Sequence, residues 1–293
     1  MTRIAFIGLG HMGLPMATHL SQSGHAVTGF DLQASARHAF AANGGVCGSS
    51  LQELAGTQEI IITMLQTGEQ VQSVCLGEQG LFAHAKPQAL YIDCSSIDVP
   101  TSRAIHEAAS TYQLMSVDAP VSGGVAGAVA ASLTFMVGGT AAAFLQAKPI
   151  LSLMGKKIIH AGIAGNGQAA KICNNMILGI SMIAISEAFV LAAHLGLDAK
   201  KLFEVVTHAS GQCWAMDKYV PIPGILNNVP ADHDYQPGFT AAMMLKDLKL
   251  SQHAAATSGV KTTLAEKATN LYQALSDAGM SQLDFSAIIK MIE

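Results

Sequence analysis

Gly8-Leu9-Gly10-His11-Met12-Gly13 fits the pattern GxGxxG, directly after an apolar run and at the opening of a helical pattern. There the first glycine permits a tight turn, the second lets the backbone approach a pyrophosphate, and the third lets the helix pack on the strand. The unpaired amides and positive dipole end of the helix then face the phosphates, and His11 contributes its amide rather than its ring. Asp31 stands 18 residues after Gly13, at the end of the second apolar run. A carboxylate at that point accepts hydrogen bonds from an adenosine ribose and repels a 2′-phosphate, so the expected cofactor is NAD rather than NADP. Arg37, on the following helical stretch, is the feature that points the other way.

Asp118-Ala119-Pro120-Val121-Ser122-Gly123-Gly124 lies at the end of another apolar run, where open α/β sheets bind ligands. Ser122 offers a hydroxyl, and the two glycines free backbone amides to converge on an anion. A structural turn is the competing reading. Lys171 and Asn175 are four apart and share a helical face. A lysine in apolar surroundings can serve as a proton donor or acceptor near neutral pH; an exposed first-turn lysine is the plainer reading. Lys246-Asp247 places a cation and a carboxylate in another apolar helical stretch. The chain holds only three arginines, at 3, 37 and 103, none of them in a motif, so carboxylate recognition would fall to amides, hydroxyls, lysines or asparagines. Eleven histidines show no HxH or HExxH spacing, and no metal site is expected.

The elements that must position these groups follow from hydrophobic periodicity. Strands are predicted at 3–8, 26–31, 59–64, 90–93, 115–119, 133–137 and 156–160, with crossover helices between them such as 12–23 and 34–43. That alternation means βαβ units in a mostly parallel, doubly wound Rossmann-type sheet. After residue 160 the strands stop, and helical periods follow at 168–195, 199–209, 240–258 and 261–278. The reading is a nucleotide-binding domain over 1–162 and an all-helical domain over 163–293. Residues 221–237 hold four of the nine prolines and are expected to form an ordered loop.

Composition narrows the partners. Half of the 293 residues are hydrophobic and 12% are charged, which excludes a disordered chain. A net charge of −4 without a basic cluster gives no footprint for nucleic acid or an anionic membrane, so a small soluble molecule is the expected partner. Five scattered cysteines read as buried residues or free thiols of a reducing compartment. The start of the chain lacks the pattern of a signal peptide, and a cytoplasmic protein is expected. The most membrane-like stretch, 176–193, is interrupted by Glu187 and reads as a helix buried between domains or subunits, hence a homodimer or homotetramer.

Four motifs in order, at 8–17, 118–124, 165–175 and 246–248, cover essentially the whole chain and resemble the β-hydroxyacid dehydrogenase family. Residues 213–224 and 235–239 are similar to the corresponding segments of its 3-hydroxyisobutyrate-oxidising branch. The resemblance implies that Lys171 is the catalytic acid/base. It implies that Ser122, Gly123, Gly124, Asn175, Lys246, Asp247, Trp214 and Phe239 bind the substrate. Met64, Leu65, Gln66, Gln70, Ser96 and Lys246 would join residues 8–13 and Asp31 on the cofactor. The family often has Pro where this chain has Gln66 and Thr where it has Ser96; neither change removes a catalytic group. The implied activity is oxidation of 3-hydroxyisobutyrate or a similar short 3-hydroxy acid, in valine catabolism. A tartronate semialdehyde reductase, or an NAD-sensing binding protein without turnover, are the alternative readings.

Overall fold

Residues 4–7, 60–63 and 90–93 are buried at every position, with no alternation along the run. Strands covered on both faces belong to a parallel sheet flanked by helices. A computed structural model describes residues 1–292 and shows that sheet.

The chain divides into two compact units, Met1–Lys171 and a second from Ile172 onward. In the first, the order is β1 (Arg3–Ile7), α1 (Gly13–Gln22), β2 (Ala26–Phe30), α2 (Ala34–Ala42), β3 (Val46–Cys47), α3 (Leu51–Thr57), β4 (Ile60–Thr63), α4 (Gly68–Leu76), α5 (Leu81–His84), β5 (Leu90–Asp93) and α6 (Val99–Thr111). There follow β6 (Met115–Asp118), β7 (Val121–Ser122), α7 (Gly124–Val129), β8 (Leu133–Gly139), α8 (Ala141–Leu151) and β9 (Gly155–Gly162). The sheet runs β3-β2-β1-β4-β5-β6-β8-β7, with β9 on β8. Its first six strands are parallel; β8 is antiparallel to β6 and β7. Strand order reverses between β1 and β4, and doubly wound sheets bind ligands outside the carboxyl ends at that point. Successive residues of β1 serve two cores: Ile4 and Phe6 pack with Met16, Leu20 and Phe40 on one face, Ala5 and Ile7 with Val71 and Phe82 on the other. The strands β3 and β7, two residues each, carry no periodic signal in the sequence.

Helix α9 (Asn166–His194) starts in the first unit and continues into the second. The first unit extends to Lys171 because the opening turn of this helix is hydrogen-bonded to the strand ends. In the second unit α10 (Ala199–Thr207), α11 (Trp214–Lys218), α12 (Ala241–Thr257) and α13 (Thr263–Leu275) follow. Met182, Phe189, Met244, Leu248, Tyr272 and Phe285 are central to its core. The proline-rich stretch forms loops and one short 3-10 turn, Pro230–His233. By length and composition alone α9 is long and apolar enough to cross a membrane, with a mean hydropathy of 2.1 over its most apolar 18 residues, of which 39% are buried. Met182, Ile185 and Phe189 are buried, whereas Ile177, Leu191 and Leu195 are exposed.

Candidate active site

The glycine turn between β1 and α1 is built by sterics. Gly8 has φ +96°, and a Cβ there would stand 2.2 Å from the Met64 carbonyl oxygen. A Cβ on Gly13 would stand 1.9 Å from the Gly8 oxygen, so α1 starts directly against the strand end. Gly10 differs: a Cβ there meets nothing within 4 Å. The fold itself requires Gly8 and Gly13, whereas the absence of a side chain at Gly10 clears space above the turn. Leu9 is buried, Met12 is half-buried, and His11 is exposed at the mouth of the turn.

Asp31 follows β2 and holds this turn. Its Oδ2 accepts from the Leu9 amide at 2.8 Å and its Oδ1 from the Gln33 amide at 2.8 Å. Each carboxylate oxygen keeps acceptor capacity for a ribose hydroxyl. Arg37 Nη1 donates to the main-chain oxygens of Asp31 at 2.5 Å and Leu32 at 3.0 Å, so this guanidinium is engaged by the backbone. An open pyrophosphate turn with a carboxylate beside it fits NAD.

Beyond β4 and β5 lies a second group of bonds. Met64 N donates to Ile7 O at 2.9 Å, Leu65 N to Ser95 Oγ at 2.9 Å, and Gln66 N to Gln70 Oε1 at 2.9 Å. These bonds fix the turn after β4, and Ser96 sits half-buried in the loop after β5. Beneath them is Asp93, whose Oδ1 accepts from Thr63 Oγ1 at 2.9 Å and from the Ser95 amide at 3.0 Å. Burial pushes the Asp93 carboxyl up to about 6; hydrogen bonds from Ser95 and Thr63 oppose that rise, and the charge of Asp118 adds to it.

Asp118 ends β6 and is almost wholly buried. Its Oδ1 accepts from Gly165 N at 2.9 Å and faces His106 Nε2 at 2.9 Å, while its Oδ2 accepts from Gln168 N at 2.8 Å. Gln168 in turn donates from Nε2 to Ser95 O at 2.8 Å and accepts at Oε1 from Ile97 N at 3.1 Å. The first turn of α9 is thereby bound to the ends of β5 and β6. Lys171 lies one turn further along and is 8% exposed. Ser122 is half-buried in β7 opposite Thr134, and Gly123 and Gly124 follow with φ of +133° and +60°. Both glycine values lie where side chains are disfavoured.

In the second unit Asn175, on α9, is buried and donates from Nδ2 to Asp247 Oδ2, while its Oδ1 accepts from Asn174 Nδ2 at 3.0 Å. Asp247 on α12 is buried too, and Lys246 Nζ stands 3.5 Å from its Oδ1. Trp214 is half exposed and stacks on Tyr219 at 5.4 Å, and Phe239 meets Phe285 edge-on at 5.8 Å. Tyr219 and Phe285 stack on each other, so both candidate aromatics belong to one ring cluster. Buried Asp284 secures it, accepting from Tyr219 Oη at 2.9 Å and from the Gly238 and Phe239 amides at 3.0 and 3.1 Å.

Residues 3–162 match the model of the NAD binding domain of 6-phosphogluconate dehydrogenase, and residues 165–292 match the NAD-binding domain of NADP-dependent 3-hydroxyisobutyrate dehydrogenase. A Mycobacterium tuberculosis protein named probable 3-hydroxyisobutyrate dehydrogenase is 47% identical over 289 residues, covering 99% of this chain and 97% of its own. The chain belongs to the 3-hydroxyisobutyrate dehydrogenase family. It is an NAD-binding oxidoreductase of the class acting on CH–OH donors. An NAD-dependent L-serine dehydrogenase of Pseudomonas aeruginosa is 44% identical over 293 residues, covering 100% of this chain and 98% of its own. The solved structure of the M. tuberculosis 3-hydroxyisobutyrate dehydrogenase with L-serine superimposes with a TM-score of 0.95 at 46% identity, covering 100% of this chain and 99% of that one.

Within this dehydrogenase fold, sequence reasoning missed Asp93, His106, Gln168 and Asp284. Asp93 closes the buried strand β5 and Asp118 follows buried Val117 at the end of β6, placements that a carboxylate tolerates only with partners. That was the available signal. His106 and Gln168 gave none, since their partners lie 10 and 12 residues away for the one and 50 or more for the other.

Proposed function

We propose that this dehydrogenase oxidises the terminal CH–OH of a short 3-hydroxy carboxylic acid, with 3-hydroxyisobutyrate the foremost substrate, and that Lys171 is its acid/base. One observation carries the reading. A buried lysine sits one turn into a helix whose start is bonded to the same carboxyl ends of the sheet that hold the dinucleotide turn. NAD, when bound, supplies the hydride acceptor. Neutral Lys171 takes the hydroxyl proton as the carbonyl forms, and the protonated amine returns it in the reverse direction. Ser122 and the amides of Gly123 and Gly124 take the substrate carboxylate. Asn175 orients the substrate through its second amide proton, because the first is committed to Asp247. Lys246, beside Asp247 on α12, is a further substrate candidate by the family resemblance.

L-Serine is the second reading, favoured by the name of the Pseudomonas relative and by the ligand in the M. tuberculosis structure. Both molecules carry a CH2OH next to a carbon bearing a carboxylate; they differ in a methyl against an ammonium. Initial rates of NAD reduction with 3-hydroxyisobutyrate, L-serine and glycerate, the alcohol that corresponds to tartronate semialdehyde, rank the candidates by kcat/KM. A serine value above that for 3-hydroxyisobutyrate reverses the assignment. General acid/base help is worth about 10²–10⁴-fold, so Lys171→Ala should lower kcat by that range and leave NADH affinity unchanged. A near-normal kcat in this variant removes the lysine from the mechanism.

The exposed Ile177, Leu191 and Leu195 of α9 support a homodimer or homotetramer; a cytoplasmic location and a place in valine breakdown are part of the same proposal and rest on the sequence and its family resemblance alone. Light scattering at micromolar concentration tests the assembly, and a monomer rejects it.

A further inference from the structure

We propose that Asp118 is a positioning residue for proton transfer: its carboxylate, steadied by His106, caps the helix that carries Lys171 and fixes that lysine's place over the strand ends. The proposal rests on the reading of Lys171 as the acid/base. The first amides of a helix have no partner within it, and a local Ser, Thr, Asp or Asn usually supplies one. Here the acceptor comes from a strand instead. Asp118 takes the amides of Gly165 and Gln168, at 2.9 and 2.8 Å, across 47 and 50 residues of sequence. A cap from a neighbouring loop residue would satisfy the helix but leave it free to tilt on the sheet; a cap from β6 ties the two together. The negative carboxylate also faces the positive end of the helix dipole.

The joint allows no slack. A Cβ on Gly138 would lie 2.4 Å from Asp118 Oδ1, and one on Gly167 would lie 2.3 Å from Met136 O and 2.7 Å from Asp118 O. Both glycines let the helix start rest directly on β6 and β8. His106 holds the carboxylate from its other side, with Nε2 at 2.9 Å from Oδ1 and Nδ1 at 2.7 Å from Ser116 Oγ. A neutral ring suffices, donating from Nε2 and accepting the serine hydroxyl at Nδ1. Lys171 Cα lies about 4.5 Å further along the axis than that of Gln168, so a shift of the first turn passes to the amine with little attenuation. Displacements of about 1 Å at a reacting group cost rates on the order of a hundredfold.

The experiment is a double-mutant cycle in the full-length enzyme with Asp118→Asn, Lys171→Ala and their combination, reading kcat, KM and NADH Kd. Asparagine retains the shape but loses one amide bond and the charge. Asp118→Asn is expected to lower kcat about ten- to hundredfold, with NADH Kd within about twofold of wild type. Combined with Lys171→Ala it should slow the enzyme no further, because a positioned group that is gone has nothing to lose. His106→Phe removes one donor and keeps both helix bonds; it should give a smaller fall with the same non-additivity, and it serves if Asp118→Asn does not fold. An Asp118→Asn kcat near wild type overturns the proposal. So does a fall of the same factor in the Lys171→Ala background, or NADH affinity falling in step with kcat. A Lys171→Ala enzyme near wild-type rate sinks the lysine reading and this proposal together, whereas an inactive Lys171→Ala enzyme with additive Asp118→Asn sinks this proposal alone.

Discussion

Replacing Asp93 with asparagine should stabilise the protein above neutral pH. The carboxyl is buried among Thr63, Tyr91 and Ser95 and is pushed from an ordinary 3.8 to about 6, by burial first and then by the charge of Asp118. A folded state that holds its proton more tightly than the unfolded chain binds more protons between about pH 4 and pH 6. Stability therefore falls as pH rises through that window and stays low above it. About two pH units at 1.36 kcal/mol each make the loss about 3 kcal/mol. Asparagine cannot ionise, and its Oδ1 can keep the bonds from Thr63 Oγ1 and the Ser95 amide. At pH 8 the variant should gain up to about 3 kcal/mol, or roughly 6–12 °C in Tm for a unit of this size. Below pH 4 the gain should vanish. Thermal unfolding of both proteins at pH 4, 6 and 8 isolates the effect, since other titrating groups cancel in the difference. A variant no more stable at pH 8, or a difference that does not change with pH, refutes the reasoning.

Gly10→Ala should leave Tm within about 1 °C while NAD affinity falls tenfold or more, because the added methyl meets only open space above the turn. Gly13→Ala should lower Tm as well as affinity, since its Cβ would overlap the Gly8 oxygen; calorimetry with NADH titration separates the two. Asp31→Ser should narrow the preference for NAD over NADP at least tenfold in kcat/KM, through removal of the charge that repels a 2′-phosphate. Asp247→Asn should lower kcat/KM about ten- to hundredfold without changing NADH affinity, by loosening the Asn175 amide that it holds; an unchanged kcat/KM shows that Asn175 needs no such partner.

The dinucleotide turn is legible in the sequence because strand, turn and helix are contiguous: sterics among residues 4–17 decide it, and each glycine has a local reason to be a glycine. Asp31 is legible for a similar reason, at a fixed distance along one βαβ unit. The joint that holds α9 has no such locality. Asp118 stands inside a motif whose serine and glycines attract attention, yet its own oxygens are used on amides 47 and 50 residues later. Asp247 shows the same limit from the other side. The family resemblance implies a direct hold on the substrate, whereas one of its oxygens is taken by Asn175, 72 residues earlier. Spacing shows which side chains share a helix face, but it does not show which buried carboxylate is matched to which donor. Burial supplies the missing constraint: the carboxylates of Asp93, Asp118, Asp247 and Asp284 all sit in low-dielectric surroundings, and each accepts at least one hydrogen bond from a segment 30 or more residues away, through Thr63, Gln168, Asn175 and Tyr219 respectively. In this fold a buried aspartate is thus a marker of a long-range tie, and three of the four ties secure loops or helices that carry candidate site residues.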